Sequence, residues 1–217
     1  MLDIHCHILP GIDHGARDMA EARRMLEAAA AQGVKHIVAT PHVYDESFDR
    51  TAAKRAYEAL RPHAQRLNIR LTLGYEFNIS ALNLKNPARA RDFRIEGSNR
   101  LLLEMPFDIW PPNWRMLIGE LQRMGLEIIL AHPERYEPLQ DKLSRVHDLA
   151  EMGVLFQVDV PQALKPFSKQ RRVLRELMKL DALDYAASDA HCAEDYARFG
   201  RSIGKLDGYI RESDWRI

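Results

Sequence analysis

Short apolar runs alternate with longer amphipathic segments along the whole chain. The runs Leu2–Ile8, Val34–Ala39, Arg70–Tyr75, Arg100–Glu104, Leu126–Ala131, Val154–Asp159 and Tyr185–Ala187 are compact and rich in Val, Ile, Leu or Tyr. That is the pattern of strands buried on both faces. Between them, Asp18–Gln32, Asp49–Leu67, Pro112–Met124, Leu139–Met152, Lys169–Leu180 and Ala193–Leu206 have helical periodicity. Gly33, Gly125 and Gly153 each follow such a segment, where a left-handed C-terminal residue is wanted. Asp18 with Glu21 three residues on forms a capping-box pattern.

Seven strands with helices between them, and no Pro/Gly/Ser-rich linker, predict one α/β domain over residues 1–217 with a parallel sheet. An open doubly wound sheet competes with a barrel. No strand is followed by a G-x-G-x-x-G or G-x-x-x-x-G-K-[ST] turn. Polar residues instead gather just after the strands, where barrel enzymes place their chemistry. The pattern therefore favours a barrel.

Composition narrows the class. Apolar residues make up 46% and charged residues 29%, as in a folded globular protein. Basic and acidic residues balance at 31 each, so any pull on an anionic substrate must come from a local site. The helix RRVLRELMK lacks the aromatic interleaving of a nucleic-acid surface, and no nucleic-acid partner is expected. Two cysteines far apart, Cys6 and Cys192, suit a reducing compartment. No basic leader precedes an apolar stretch, and no run approaches the roughly 18 apolar residues of a membrane span. A cytoplasmic protein without membrane insertion is expected; the sequence carries no signature of oligomeric state.

The strand ends carry the chemistry. The first supplies His5 and His7, followed by a loop with Asp13 and His14. The others end on His42 (ATPH), Glu76 (LGYE), Glu104 (LLLEMP), His132 (LAHPERY), and Asp189 with His191 (ASDAH). His5 and His7 are two apart, so both point to one face of their strand with Cys6 on the other. A single buried histidine is more often a hydrogen-bonded core residue than a ligand, and one H-x-H pair arises readily by chance. Six of seven strands delivering imidazole or carboxylate to one rim is a different matter. Such a set without thiolate suits Mn, Fe or Zn, and nine candidate ligands, leaving Asp13 aside, exceed what one ion needs.

The segments LDIHCHILPGIDHGA, ATPH, LGYEF, LLLEMP, AHPERY and ASDAH resemble the successive motifs of the polymerase-and-histidinol-phosphatase (PHP) superfamily. In order and spacing they are most similar to manganese-dependent tyrosine-protein phosphatases of bacterial capsule and exopolysaccharide loci, from residue 1 to about 192. The resemblance implies a distorted (β/α)7 barrel of the PHP type holding three metal ions, with Mn favoured. It implies ligand roles for His5, His7, His42, Glu76, Glu104, His132, Asp189 and His191, and a phosphate contact at Arg135. The implied substrate is phosphotyrosine on protein, with an autophosphorylated bacterial tyrosine kinase as partner. Three departures stand out. His14 replaces a usual acidic residue, though histidine can also ligate. Tyr196 stands where the family tends to carry an arginine, and Arg198 follows slightly beyond as the candidate second phosphate contact. The sequence also ends on DWRI, shorter than the resemblance leads one to expect.

Phosphoryl transfer requires positioning and charge neutralisation, which clustered divalent ions provide while acidifying bound water to hydroxide. Phe107, Trp110 and Trp114 are candidates to flank an aromatic ring, against the plainer expectation that each packs the barrel mouth. His191 to Arg198 also satisfies H-C-x5-R, the signature of cysteine-dependent tyrosine phosphatases. Glu194 and Asp195 would repel a phosphate there, and no glycine lets the backbone approach, so the match is read as coincidence. Two other functions compete: a small-metabolite phosphoesterase such as a histidinol phosphatase, and a low-turnover metal-binding regulatory scaffold.

Overall fold

A computed structural model describes residues 1–81 and 87–210, so the DWRI segment lies outside the described residues. In chain order the elements are β1 (Leu2–Cys6), α1 (Met19–Ala31), β2 (His36–Ala39), β3 (His42–Val43), α2 (Arg50–Arg66), β4 (Arg70–Leu73), β5 (Glu76–Asn78) and β6 (Arg100–Glu104). There follow α3 (Trp114–Arg123), β7 (Glu127–Ala131), α4 (Glu137–Asp141), α5 (Ser144–Glu151), β8 (Leu155–Asp159), α6 (Val160–Ala163), α7 (Lys169–Lys179), β9 (Tyr185–Ala187) and α8 (Ala193–Ile203).

All strand pairing between these elements is parallel. The strands form two sheets, β1-β2-β4 and β3-β5-β6-β7-β8-β9. The second and third predicted strands correspond to β2 and β4, and beyond each, after Thr40–Pro41 and Gly74–Tyr75, the chain forms a further short strand, β3 or β5, that pairs in the other sheet. Pro41 has no N–H to offer a ladder, while its carbonyl accepts from Glu76 N–H at 3.1 Å. At the other seam, Asp189 N–H donates to His5 O at 3.0 Å and His7 N–H to Ala190 O at 2.9 Å. The strand ladder is therefore interrupted, and an unbroken seven-stranded ring is not what the pairing shows.

The main hydrophobic core lies between the strands and the helices. A smaller one is built mostly from strand residues and contains Ile4, Val38, Leu102, Ile129, Tyr185 and Ala187. Helix ends follow local chemistry. Asp18 accepts from Glu21 N–H at 2.8 Å, as expected of a cap. The reciprocal bond differs from the expected box, because Glu21 Oε2 accepts from Arg17 N–H at 3.0 Å and from Arg17 Nε at 2.9 Å. Gly33, Gly125 and Gly153 adopt φ of 80°, 83° and 74°, the left-handed closure their positions called for. The single helix expected over Leu139–Met152 is two, α4 and α5. Lys142 between them has φ −136° and ψ 87°, which interrupts the i to i−4 ladder.

Candidate metal centre

His5 and His7 face the same interior space only because β1 changes parity. Leu2 and Ile4 pack with the inner core, whereas Cys6 and Ile8 pack with the outer one. With strict alternation all four even-numbered residues would share a face. The pairing of β1 with β2 is irregular between Asp3 and Cys6, and a bulge there re-aims the side chains that follow. Ile4 and His5 thus lie on the same side.

Glu76, at the start of β5, is the hub. Its Oε2 is 3.3 Å from His5 Nε2, 3.4 Å from His7 Nε2 and 2.7 Å from His42 Nδ1. Its Oε1 is 2.8 Å from His132 Nε2. Asp189 Oδ1 lies 3.4 Å from His5 Nε2 and 3.2 Å from His7 Nε2. These contacts resolve into four overlapping triads, His7–His42–His191, His5–His7–Asp189, His5–Glu76–His132 and His42–Glu76–Glu104. Within each triad the ligand atoms lie within 4.8 Å of one another. His132 and Asp189 have left-handed backbones, with φ of 32° and 47°, a conformation that costs a non-glycine residue on the order of 1–2 kcal/mol.

A second layer holds these side chains in place. Gln157 Oε1 is 2.8 Å from His5 Nδ1, and Asp13 Oδ2 is 2.8 Å from His7 Nδ1. Asp13 also accepts from the backbone N–H of Gly15 at 3.0 Å and of His42 at 3.1 Å. Gly15 is required here, since a Cβ would fall 2.0 Å from His7 O. His191 Nδ1 approaches Asp189 O at 2.8 Å, and Asn78 donates to Glu104 Oε2 at 2.8 Å. Behind β1, buried Asp3 accepts from Ser188 Oγ at 2.6 Å and Tyr196 OH at 2.9 Å, tying the first strand to the last. Gln157 and Asp3 were not among the sequence candidates. The signal was present: each is a polar residue inside an apolar strand.

The electrostatics fit cations. Burial works against ionising Glu76, yet His5, His132 and His42 hold its carboxyl well below the usual range. Asp189 is likewise held down against burial by His5 and His7. Burial disfavours a charged His5, but Glu76 and then Asp189 raise it to about 9. Glu104 is pushed up by burial and by Glu76. His191 falls to about 4 through burial and the neighbouring His7. His42 Nδ1, Glu76 Oε2, His132 Nδ1 and His191 Nε2 are buried without a hydrogen bond, the close His42–Glu76 contact lacking the geometry of one. Buried polar atoms without hydrogen bonds call for an explanation. Imidazole and carboxylate atoms converging without thiolate are what a hard-to-borderline divalent ion takes.

The remaining candidates sit at the rim. His14 is exposed and belongs to none of the four triads, though its ring centroid lies 4.5 Å from that of His191 and 4.8 Å from that of His42. Arg135 donates to Asp189 Oδ2 at 2.7 Å. Arg198 is ion-paired with Asp195, and both line a groove of about 460 Å³ with Arg135, Asp189, His191 and Lys165. Trp110 and Trp114 are buried, as the packing expectation had it, whereas Phe107 is exposed. The Cys192 thiol is pushed up to about 11 by burial and by Asp195 and Glu194, the reverse of an activated thiolate.

Among the described residues, a parallel α/β fold gathers eight imidazole and carboxylate side chains into four shared triads, each of which could hold a metal ion. Residues 1–200 match the family described as capsular polysaccharide synthesis, CpsB/CapC. The chain belongs to that family. It is 32% identical over 201 residues to the tyrosine-protein phosphatase YwqE of Bacillus subtilis, covering 88% of this chain and 77% of that protein. It is 27% identical over 203 residues to the tyrosine-protein phosphatase CpsB of Streptococcus pneumoniae, covering 88% and 83%. A chain from the crystal structures of YwqE and CpsB, described as unique metal-dependent tyrosine phosphatases, superposes with a TM-score of 0.76 at 29% identity, covering 90% of this chain and 81% of that one.

Proposed function

We propose that this chain is a metal-dependent protein-tyrosine phosphatase. The observation that carries the reading is the set of four triads sharing Glu76, His5, His7 and His42, with Arg135 at its edge. The similarity to proteins named tyrosine-protein phosphatases supports the same activity. The two sheets are read as one distorted (β/α)7 barrel whose strands are broken where the ligands emerge, in a single domain over residues 1–217. His5, His7, His42, Glu76, Glu104, His132, Asp189 and His191 would hold three ions, Mn being preferred and Fe or Zn compatible. His14 stands near enough to join them. Such ions would neutralise charge on the phosphoryl oxygens and acidify water toward a pKa of about 7.

The protein's own groups do the rest. Arg135 presents a planar fork suited to two phosphate oxygens, and its bond to Asp189 fixes its approach. Arg198 borders the same groove, bound to Asp195, and is read as an outlying phosphate contact. Gln157 and Asp13 hold the Nδ1 atoms of His5 and His7, so that Nε2 of each faces the cluster. A tyrosine phenol, with a pKa of about 10, leaves with little help from a general acid. Among the described residues no helix is long and apolar enough to cross a membrane. The reading places the enzyme in the cytoplasm, acting on an autophosphorylated bacterial tyrosine kinase that controls capsule or exopolysaccharide synthesis.

The test is hydrolysis of p-nitrophenyl phosphate and a phosphotyrosine peptide by wild type and Cys192→Ser, each with chelator and with Mn restored. Activity lost to chelator, regained with Mn and indifferent to Cys192→Ser is expected. Chelator-resistant activity that disappears in Cys192→Ser would overturn the mechanism. Hydrolysis of histidinol phosphate but not of the peptide would shift the substrate to a small metabolite, and no turnover at all would favour a regulatory scaffold.

A further inference from the structure

Two aromatic rings at the rim remain exposed beside the metal ligands. Tyr44 is 50% and Phe107 40% exposed. Each lies face to face with a ligand histidine. The Tyr44 ring is 4.7 Å from that of His42 with planes 20° apart, and the Phe107 ring is 5.5 Å from that of His132 at 24°. The Arg135 guanidinium lies 4.7 Å from the centre of the Phe107 ring.

The backbone at or beside each ring is anchored. Phe107 O accepts from Glu137 N–H at 2.8 Å, and the Phe107 ring is 5.7 Å from that of Tyr136. Tyr44 enters a turn closed by Asp45, whose Oδ1 accepts from Ser47 N–H at 2.7 Å. The neighbouring tryptophans differ. Trp110 and Trp114 are 8% and 5% exposed and meet edge to face at 5.3 Å, so they belong to the core.

We propose that Tyr44 and Phe107 form an aryl subsite that receives the ring of a phosphorylated tyrosine once its phosphate reaches Arg135 and the metal cluster. The inference rests on the phosphatase reading and names what selects its substrate. A phenyl ring that packs against these exposed aromatic rings gains stacking that a short aliphatic side chain cannot make. Arg135 serves both halves, its charge for the phosphate and its plane for the ring. Phosphoserine and phosphothreonine would leave both faces bare.

Non-reacting ligands separate this from leaving-group chemistry. The dissociation constants of phenylphosphonate and methylphosphonate are measured by calorimetry on the Mn-loaded protein, for wild type, Phe107→Ala, Tyr44→Ala and the double variant, with metal content determined for each. Wild type is expected to prefer phenylphosphonate. Each single substitution is expected to cut the phenyl-over-methyl ratio about three- to tenfold, and the double variant to bring it close to one. A wild-type ratio of one, or a ratio unmoved in the double variant at equal metal content, overturns the subsite. Phosphotyrosine-peptide turnover by the same wild-type sample reports on the phosphatase reading separately. Turnover with a ratio of one removes the subsite alone. A ratio that collapses as expected, without turnover, keeps the subsite and removes the phosphatase.

Discussion

The side-chain oxygen of Gln157 sits 2.8 Å from Nδ1 of His5, although 152 residues separate them in the chain. An amide oxygen can only accept, so His5 carries its proton on Nδ1 and turns Nε2 toward Glu76 and Asp189. Gln157→Leu removes that anchor at similar volume. Mn affinity is expected to fall about ten- to a hundredfold, with the fold intact by circular dichroism. Gln157→Glu, which retains an acceptor, is expected to keep most of it. Unchanged affinity in Gln157→Leu, read by competition with a chromogenic chelator, would deny the residue an orienting role.

Glu76 touches His5, His42 and His132 and takes part in two of the triads. Glu76→Gln should lower kcat/KM at least about a hundredfold, together with bound metal measured by elemental analysis. A ligand at a hundred times its Kd stabilises the folded state by about 2.7 kcal/mol. Chelation should therefore lower the melting temperature of wild type by roughly 5–10 °C. The loss should be much smaller in Glu76→Gln.

Arg135 is expected to act on phosphate. Arg135→Ala should lower kcat/KM for phosphotyrosine peptides about ten- to a hundredfold, mostly through KM. Arg135→Lys should recover only part, because an ammonium cannot make the planar two-point contact. Equal KM in all three proteins would place the phosphate elsewhere.

His36, at the start of β2, supplies a pH dependence away from the metal centre. Its ring nitrogen Nε2 is 2.8 Å from Thr72 Oγ1, and burial, then Arg70, depress it to about 4. The unfolded chain takes up the proton nearer pH 6.5. The folded state consequently loses stability as pH falls from about 6.5 toward 4, and keeps it above. Since the ring is partly exposed, the loss is about 1–2 kcal/mol. Chemical denaturation of the metal-free protein at pH 7.5 and pH 5 should show a drop in wild type that is smaller by that amount in His36→Gln. Parallel pH profiles for the two would remove His36 from the account.

Much of this architecture was legible because it is written locally. Apolar runs of strand length, helical periodicity, the Asp18 cap and the glycines after α1, α3 and α5 each depend on near neighbours. So does the fall of histidines and carboxylates just beyond the strands. Their reading as ligands followed from residue type and position, and the triads bring the same eight side chains together. The short strands β3 and β5 were not read from the sequence because two or three residues carry too little apolar pattern to mark a strand, and their pairing depends on distant neighbours.

What the chain alone determined, then, is which elements form and which end of them is reactive. The tertiary structure decided which candidate ligands share a neighbourhood. A two-residue period cannot reveal that β1 changes parity, since a bulge depends on register against β2. Glu76 became the hub because pairing brings β3, β5 and β6 into neighbouring positions. His132 and Asp189 take left-handed backbones that no intrinsic preference would choose, held there by the packing around them. Phe107 and the two tryptophans lie within eight residues of one another, yet only Phe107 stays exposed. Burial is set by what the rest of the fold lays against a side chain, and that depends on contacts far away in sequence.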